Sequence, residues 1–194
     1  DYLTLYQGNK EEVKSFFKNV TCEEFKHIVF VSKEGTNSFI EIFPELKDKV
    51  ITCNNLINGE DIIEKSKKSI IEENIQELKK EEIPIFLNVG RHDEKQKKLT
   101  RIIEVSKKLK EENLKFKVLF IGDGQDTKLY QEKVKEYDLQ DTILFLGRKE
   151  NPYPYFIMSD CIILSSEYEG YPVVYLESFV LHKPIITTKV SDYE

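Results

Sequence analysis

The sequence predicts an α/β protein built on a Rossmann-like parallel sheet with flanking helices. Two observations predict it: apolar, β-branched runs of strand length recur along the chain, and amphipathic segments of helix length separate them. Strands are expected at 27–32, 49–53, 85–89, 116–121, 142–146, 161–164 and 184–188. Between them, 94–112 and 126–137 carry apolar residues at three-to-four spacing with Lys and Glu outside, the pattern of crossover helices packed on a sheet. The last helix is expected at 172–181, where Pro172 supplies a preset φ at a position that loses no amide hydrogen bond. The stretch 59–82 is nearly all Ile, Glu, Lys, Ser and Asn, and reads as a helical linker with a solvated charged face.

Composition bounds the function. The 194 residues hold 29 Lys+Arg against 35 Asp+Glu, a net charge of −6, opposite in sign to a general nucleic-acid binder. With 40% hydrophobic and 33% charged residues the chain can bury a core, which excludes disorder. No apolar run approaches the roughly 20 residues of a membrane-spanning helix, and the polar first ten residues do not read as an export leader. A cytoplasmic location is the expectation. Cys22, Cys53 and Cys161 are odd in number and far apart, so reduced, buried thiols are expected rather than disulfides or a zinc site. The acceptor triplet Asn19-Val20-Thr21 is read as a chance match to a glycosylation motif.

Only five strands follow Pro84, and only two precede Gly59, too few for an independent sheet. The chain is therefore expected to be a piece of a two-domain protein. Its parts are the end of a first domain (1–58), a helical linker (59–84) and a second α/β domain truncated at its end (85–194).

Three strand ends carry candidate chemistry. The segment Ser165 to Glu177 follows a buried strand and opens a helix, where free amides and a partial positive charge suit an anion. There Gly170 would let a ligand approach the backbone, and the amides of Tyr171, Val173 and Val174 would face a phosphate or sugar hydroxyl. Glu169 and Glu177, eight residues apart, could hold hydroxyls; a helix start with an N-terminal acid and an ordinary exposed Glu explains them equally well. In the second cluster, Gly90 and Arg91 run into the lysines 95, 97 and 98, cations suited to a diphosphate or simply to a surface. The third, Gly122-Asp123-Gly124, has Thr127 where a dinucleotide fingerprint needs its third Gly, so it reads as a tight turn beneath a crevice or a plain turn. Tyr153-Pro154-Tyr155 reads as a loop packing its rings, with a base pocket as the alternative. The three His residues are too scattered for a metal motif, and no Gly-x-Ser-x-Gly elbow accompanies Ser165 or Ser166.

In this order the clusters resemble the GT-B glycosyltransferases of family 4. Residues 85–98 are similar to the family's opening strand with Gly-Arg and a following Lys; 120–124 resemble its Gly-Asp-Gly turn and 144–147 its next strand ending in Gly. Glu169-Gly170-Tyr171-Pro172 through Glu177 resembles the signature of two Glu separated by seven residues. The strands at 27–32 and 49–55 resemble, more weakly, the end of the family's N-terminal domain. The resemblance implies a GT-B C-terminal, donor-binding domain with a remnant of the acceptor-side domain. It implies a metal-independent, retaining, hexosyltransferase-type enzyme that uses a UDP-sugar or GDP-sugar as substrate, without a cofactor.

By position, Arg91 and Lys97 would bind the diphosphate, Glu169 the donor sugar and Glu177 the ribose, with the backbone near Arg148 at the base. Gly90, Gly122, Gly124, Gly170, Tyr171, Val173 and Val174 would complete the donor site. The family's Lys stands five residues past the Arg, where this chain has Gln96, so Lys97 requires a loop one residue longer, with Lys95 and Lys98 as substitutes. The expected role is bacterial cell-surface polysaccharide synthesis with a glycan or lipid-linked acceptor, no nucleic acid, and peripheral membrane association of the full-length protein as an option. The isolated fragment is expected to be inactive in transfer. A non-catalytic nucleotide-sugar binding module and a nucleotide-sugar epimerase of the same fold are the alternatives.

Overall fold

A computed structural model describes residues 9–17, 20–69 and 72–190. Asn19, residues 70–71 of the expected linker, and the outer ends of the first and last expected domains lie outside the described residues. The described chain forms two units: residues up to 56 with 168–172 and 189–190, and residues 57–167 with 173–188.

The first unit contains α1 (Lys10–Phe17), β1 (Ile28–Phe30), α2 (Lys33–Ile42) and β2 (Val50–Thr52). The two strands pair in parallel, Ile28 with Val50 through Phe30 with Thr52. Ser32 starts α2 because its hydroxyl accepts from the Gly35 amide at 3.1 Å, satisfying a first-turn donor. The helix then buries Phe39, whose ring stands 5.0 Å from Phe30 and 4.9 Å from Phe43, in a small core with Cys22 and Leu46. The opposite side of the strands is open: Val29 and Ile51 are exposed.

The second unit contains α3 (Gly59–Ser66), α4 (Glu73–Glu77), β3 (Ile85–Val89), α5 (Leu99–Glu111), β4 (Lys117–Ile121) and α6 (Thr127–Glu136). It continues with β5 (Ile143–Gly147), α7 (Tyr153–Met158), β6 (Cys161–Leu164), α8 (Val173–Val180) and β7 (Ile185–Thr187). All five strands are parallel, in the order β5-β4-β3-β6-β7. The predicted class, a parallel sheet with flanking helices, is the observed one.

Parallel strands covered on both faces need continuous apolar runs. In β4, Val118, Leu119, Phe120 and Ile121 are all buried. On one face α5 sets Leu99, Ile102 and Ile103 at helical spacing against Val118, Phe120 and Ile143, together with Tyr130 and Val134 of α6. Each such aliphatic side chain contributes about 1.5–3 kcal/mol on burial. Truncating Ile103, fully enclosed, would cost roughly 2–5 kcal/mol.

The strand order reverses between β3 and β6, which in an open parallel sheet marks a ligand crevice at the carboxyl ends. The backbone ladder between them ends at Leu87 and Ile162. Beyond it the buried Asn88 side chain donates to the Ile163 carbonyl at 2.7 Å, holding two strands that no longer pair.

Several expectations need correction. The helix predicted from 94 begins at Leu99, because residues 93–97 close a turn instead. In it the Lys97 amide donates to the Asp93 carbonyl at 2.7 Å and the Gln96 amide to its carboxylate at 3.2 Å. Lys98 follows in the left-handed region at φ 50°. The stretch expected to be helical between 59 and 82 carries, among its described residues, α3, α4 and a 3₁₀ turn (Leu78–Glu81). Tyr153-Pro154-Tyr155 opens α7 rather than forming a loop, and Pro154 is tolerated because it sits in the first turn. Helices α1 and α2 were not anticipated. Of the cysteines expected to be buried, Cys53 is exposed.

Candidate functional site

The sheet does not stop where its strands end. Past β3 and β4 the Gly90 amide donates to the Ile121 carbonyl at 3.0 Å and the His92 amide to Asp123 at 2.8 Å. The Gly122 amide reaches the Gly147 carbonyl at 2.9 Å. This zipping requires glycine. Gly122 has φ 139°, and a Cβ there would stand 1.8 Å from the Gly90 carbonyl oxygen; one on Gly124 would stand 2.2 Å from that of His92. Above the joined loops lies a cleft of about 340 Å³ whose walls include Gly90, Arg91, Gly122, Asp123, Arg148, Lys149 and Pro152.

The cleft is rich in cations. Arg91, with 65% of its side chain exposed, donates from Nη2 to Gln96 Oε1 at 2.8 Å and has Nε 3.9 Å from Asp93. Arg148 approaches Asp123 at 3.9 Å. Lys149 is tied to the carboxylate of Glu72, which also accepts from the Tyr155 hydroxyl. Burial pushes Glu72 up, but the bonds from Lys149 and Tyr155 outweigh it and hold the carboxyl below the usual range. The turn 93–97 carries Lys97 back over the glycines, with Cε 3.8 Å from the position of a Cβ on Gly90. That turn is anchored from β6: the Ser165 hydroxyl donates to the carbonyls of Lys97 and Lys98 at 2.8 and 2.9 Å. The Glu167 amide donates to the Gln96 carbonyl at 2.8 Å.

Beneath the glycines His92 is buried among the rings of Tyr130, Phe145 and Phe120, with centroids at 5.7, 6.0 and 6.3 Å. Thr127, which stands in place of a third Gly, donates its hydroxyl to the Gly124 carbonyl at 2.9 Å and accepts from the Gly124 amide at 3.0 Å. The hydroxyl proton being so used, His92 Nδ1–H donates to Thr127 at 2.8 Å, and Nε2 is left without a partner among the described residues. Burial lowers the His92 pKa, despite Asp123 nearby, and favours the neutral ring. Its place is structural: it locks the turn under the cleft.

On α8, Val173 and Val174 occupy the first turn, where amides have no upstream helical carbonyl. Glu177, one turn on, is half-buried and accepts from the Tyr153 hydroxyl of α7 at 3.0 Å. Burial raises the Glu177 pKa, and the Tyr153 bond partly offsets that. Glu169, Gly170 and Tyr171 belong to the first unit. There Glu169 is buried, a Cβ on Gly170 would stand 3.0 Å from Val31 Cγ2, and the Tyr171 carbonyl accepts from Asn55 Nδ2 at 2.7 Å.

Of the predicted residues, then, Gly90, Arg91, Gly122 and Arg148 meet in one cleft, with Lys97 against Gly90 and Gly124 in the turn below. Sequence reasoning missed Lys149, Asp123 and Pro152 as cleft residues, Gln96 as the partner of Arg91, and Tyr153 as that of Glu177. Lys149 and Asp123 were legible as neighbours of Arg148 and Gly122; the two partners depend on side-chain bonds that no spacing announces. Among the described residues no group of three or more His, Cys, Asp or Glu could hold a metal ion, and no helix is long and apolar enough to cross a membrane.

The chain is 28% identical over 166 residues to the uncharacterized glycosyltransferase MJ1059 of Methanocaldococcus jannaschii, covering 85% of this chain and 40% of that protein. It is 26% identical over 182 residues to the capsular polysaccharide biosynthesis glycosyltransferase CapH of Staphylococcus aureus, covering 88% and 50%. Its fold matches that of Anabaena HepE, solved in complex with UDP-glucose, with TM-score 0.78 and 15% identity over 98% of this chain and 52% of the other. The chain thus spans about half or less of these relatives. The family model described as glycosyl transferases group 1 matches residues 69–194, well over half of the chain, and the chain belongs to that family.

Proposed function

We propose that this chain carries the nucleotide-sugar donor site of a retaining, metal-independent hexosyltransferase serving cell-surface polysaccharide synthesis. The observation that carries the reading is the cationic cleft at the carboxyl ends of β3, β4 and β5, where Arg91 and Arg148 stand over a glycine floor that brings backbone within reach of a ligand. Breaking the bond at the anomeric carbon leaves negative charge on the diphosphate. Arg91 and Lys97 would stabilise that charge more in the transition state than in the substrate. Glu177 would accept from the ribose hydroxyls, the α8 amides would face the diphosphate, and the backbone near Arg148 would meet the base. Glu169, with Gly170 and Tyr171, is assigned to the donor sugar on its place in the two-Glu signature. HepE is a structural neighbour solved with UDP-glucose, and CapH a relative named for capsule synthesis; both favour this substrate class and role. In the same reading 1–58 belongs to the acceptor-side domain, 59–84 is the linker and 85–194 is the donor domain.

The test is thermal denaturation with UDP, GDP and their sugars. A ligand at about a hundredfold its Kd stabilises by about 2.7 kcal/mol, which at this size raises Tm by roughly 5–10 °C. Arg91→Ala and Glu177→Ala are expected to reduce the shift. A panel in which no nucleotide moves Tm, or both variants shift like wild type, overturns the assignment.

A further inference from the structure

We propose that Tyr153 is a positioning residue for the nucleotide site: its hydroxyl fixes one carboxylate oxygen of Glu177, so that the other is presented to the ribose. The inference rests on the donor-site reading above and adds to it a residue outside the two-Glu signature. Its ground is a juxtaposition. Pro152 lines the cleft, Tyr153 is the next residue and opens α7, and its hydroxyl donates to Glu177 Oε1 at 3.0 Å across to α8.

A carboxylate on a helix surface samples several rotamers, and one held by a phenol does not. More important, a half-buried carboxyl tends to take up a proton, and a protonated carboxyl accepts ribose hydroxyls poorly. Burial and the Tyr153 hydroxyl are the two influences on Glu177, the first raising its pKa and the second lowering it. From α3, Asp61 acts on Tyr153 by its charge and is itself paired with Lys65 at 2.6 Å. The phenol is raised to about 12 by burial and by Glu177, so it stays protonated and donating throughout the working range. Removing only the hydroxyl should therefore leave Glu177 easier to protonate and less well aimed.

The experiment uses Tyr153→Phe, Glu177→Gln and the double variant of this chain, with UDP as the probe. Affinity is measured by calorimetry from pH 5 to 8, and the Glu177 carboxyl is followed by carbon-13 NMR. Tyr153→Phe is expected to weaken UDP roughly tenfold near neutral pH, the worth of a hydrogen bond to a charged group. It should also move the acid loss of affinity, and the Glu177 titration, to higher pH. In the Glu177→Gln background the same substitution should cost nothing further. A Tyr153 that merely packs would weaken both backgrounds alike and leave the titration where it was; either result overturns the proposal. If wild type binds neither UDP nor GDP, the donor-site reading fails, and the carboxyl titration still decides whether Tyr153 governs Glu177.

Discussion

The floor of the cleft makes a quantitative prediction, because two glycines with positive φ differ in what surrounds them. At Gly122 an added methyl meets the Gly90 carbonyl oxygen at 1.8 Å, so the loop after β3 must move. The move sacrifices the Gly90–Ile121 and Gly122–Gly147 backbone bonds, each worth about 1 kcal/mol. A residue with a side chain at φ 139° is strained by a further 1–3 kcal/mol or so. Gly122→Ala should therefore cost about 3–5 kcal/mol, which lowers Tm by roughly 10 °C. Gly147 has φ 66° with nothing within 4 Å of an added Cβ, so Gly147→Ala should cost only the left-handed strain, about 1 kcal/mol and a few degrees. Any gain from stiffening the unfolded chain is the same in both and cancels in the comparison. Thermal and urea denaturation of the two variants decide it. If Gly122→Ala melts within a degree or two of Gly147→Ala, the two strand-end loops are not joined as described and the cleft loses its floor.

Two further outcomes follow from the residues beneath and beside that floor. Burial lowers the His92 pKa, so below the ordinary imidazole value of about 6.5 the unfolded chain binds a proton that the folded chain resists. Stability should be full above that pH and fall below it, and His92→Phe should flatten the fall; an unchanged slope between urea curves at pH 7.5 and 5.5 would count against a buried neutral ring. Ser165→Ala removes the donor to the Lys97 carbonyl while Lys98 keeps the Arg101 amide at 3.0 Å. A loss of about 1 kcal/mol is expected in the same urea assay, and no loss would mean the 93–97 turn is held otherwise.

Why the fold was legible and the partners were not comes down to range. The runs at 85–89, 116–121 and 161–164 announce buried parallel strands because burial on both faces leaves no alternation to interpret. Their order in the chain then nearly dictates the sheet. Gly122 and Gly124 were readable as a turn because their requirement is local. By contrast, the helix start at Leu99 depends on the Asp93 carboxylate competing for the Gln96 amide, and α7 on ring burial that carries the chain on from Pro152 at its cap and Pro154 in its first turn, where proline is tolerated but a loop is equally allowed. The Tyr153–Glu177 bond joins residues 24 apart, and the Lys149–Glu72 pair residues 77 apart. Only the assembled sheet brings such groups together.

The one-residue shift between Gln96 and Lys97 is the sharpest test of how this chain departs from the pattern it resembles. Gln96 Oε1 accepts from Arg91 at 2.8 Å, so position 96 serves the guanidinium and is not available for an ammonium. Lys98 spends its backbone on the left-handed entry to α5, and Lys95 is exposed. Lys97 alone of the three has its stem against Gly90, which lines the cleft. Lys97→Ala should therefore weaken UDP binding by roughly tenfold or more, the worth of one charge-assisted bond to phosphate, while Lys95→Ala and Lys98→Ala change it little. Adding Gln96→Lys to Lys97→Ala should not restore affinity, since the new ammonium would remove the acceptor of Arg91 and repel it. Rescue by that double variant, or an equal loss from Lys95→Ala, would mean the loop does not hold its extra residue as the hydrogen bonds of Asp93 and Ser165 require.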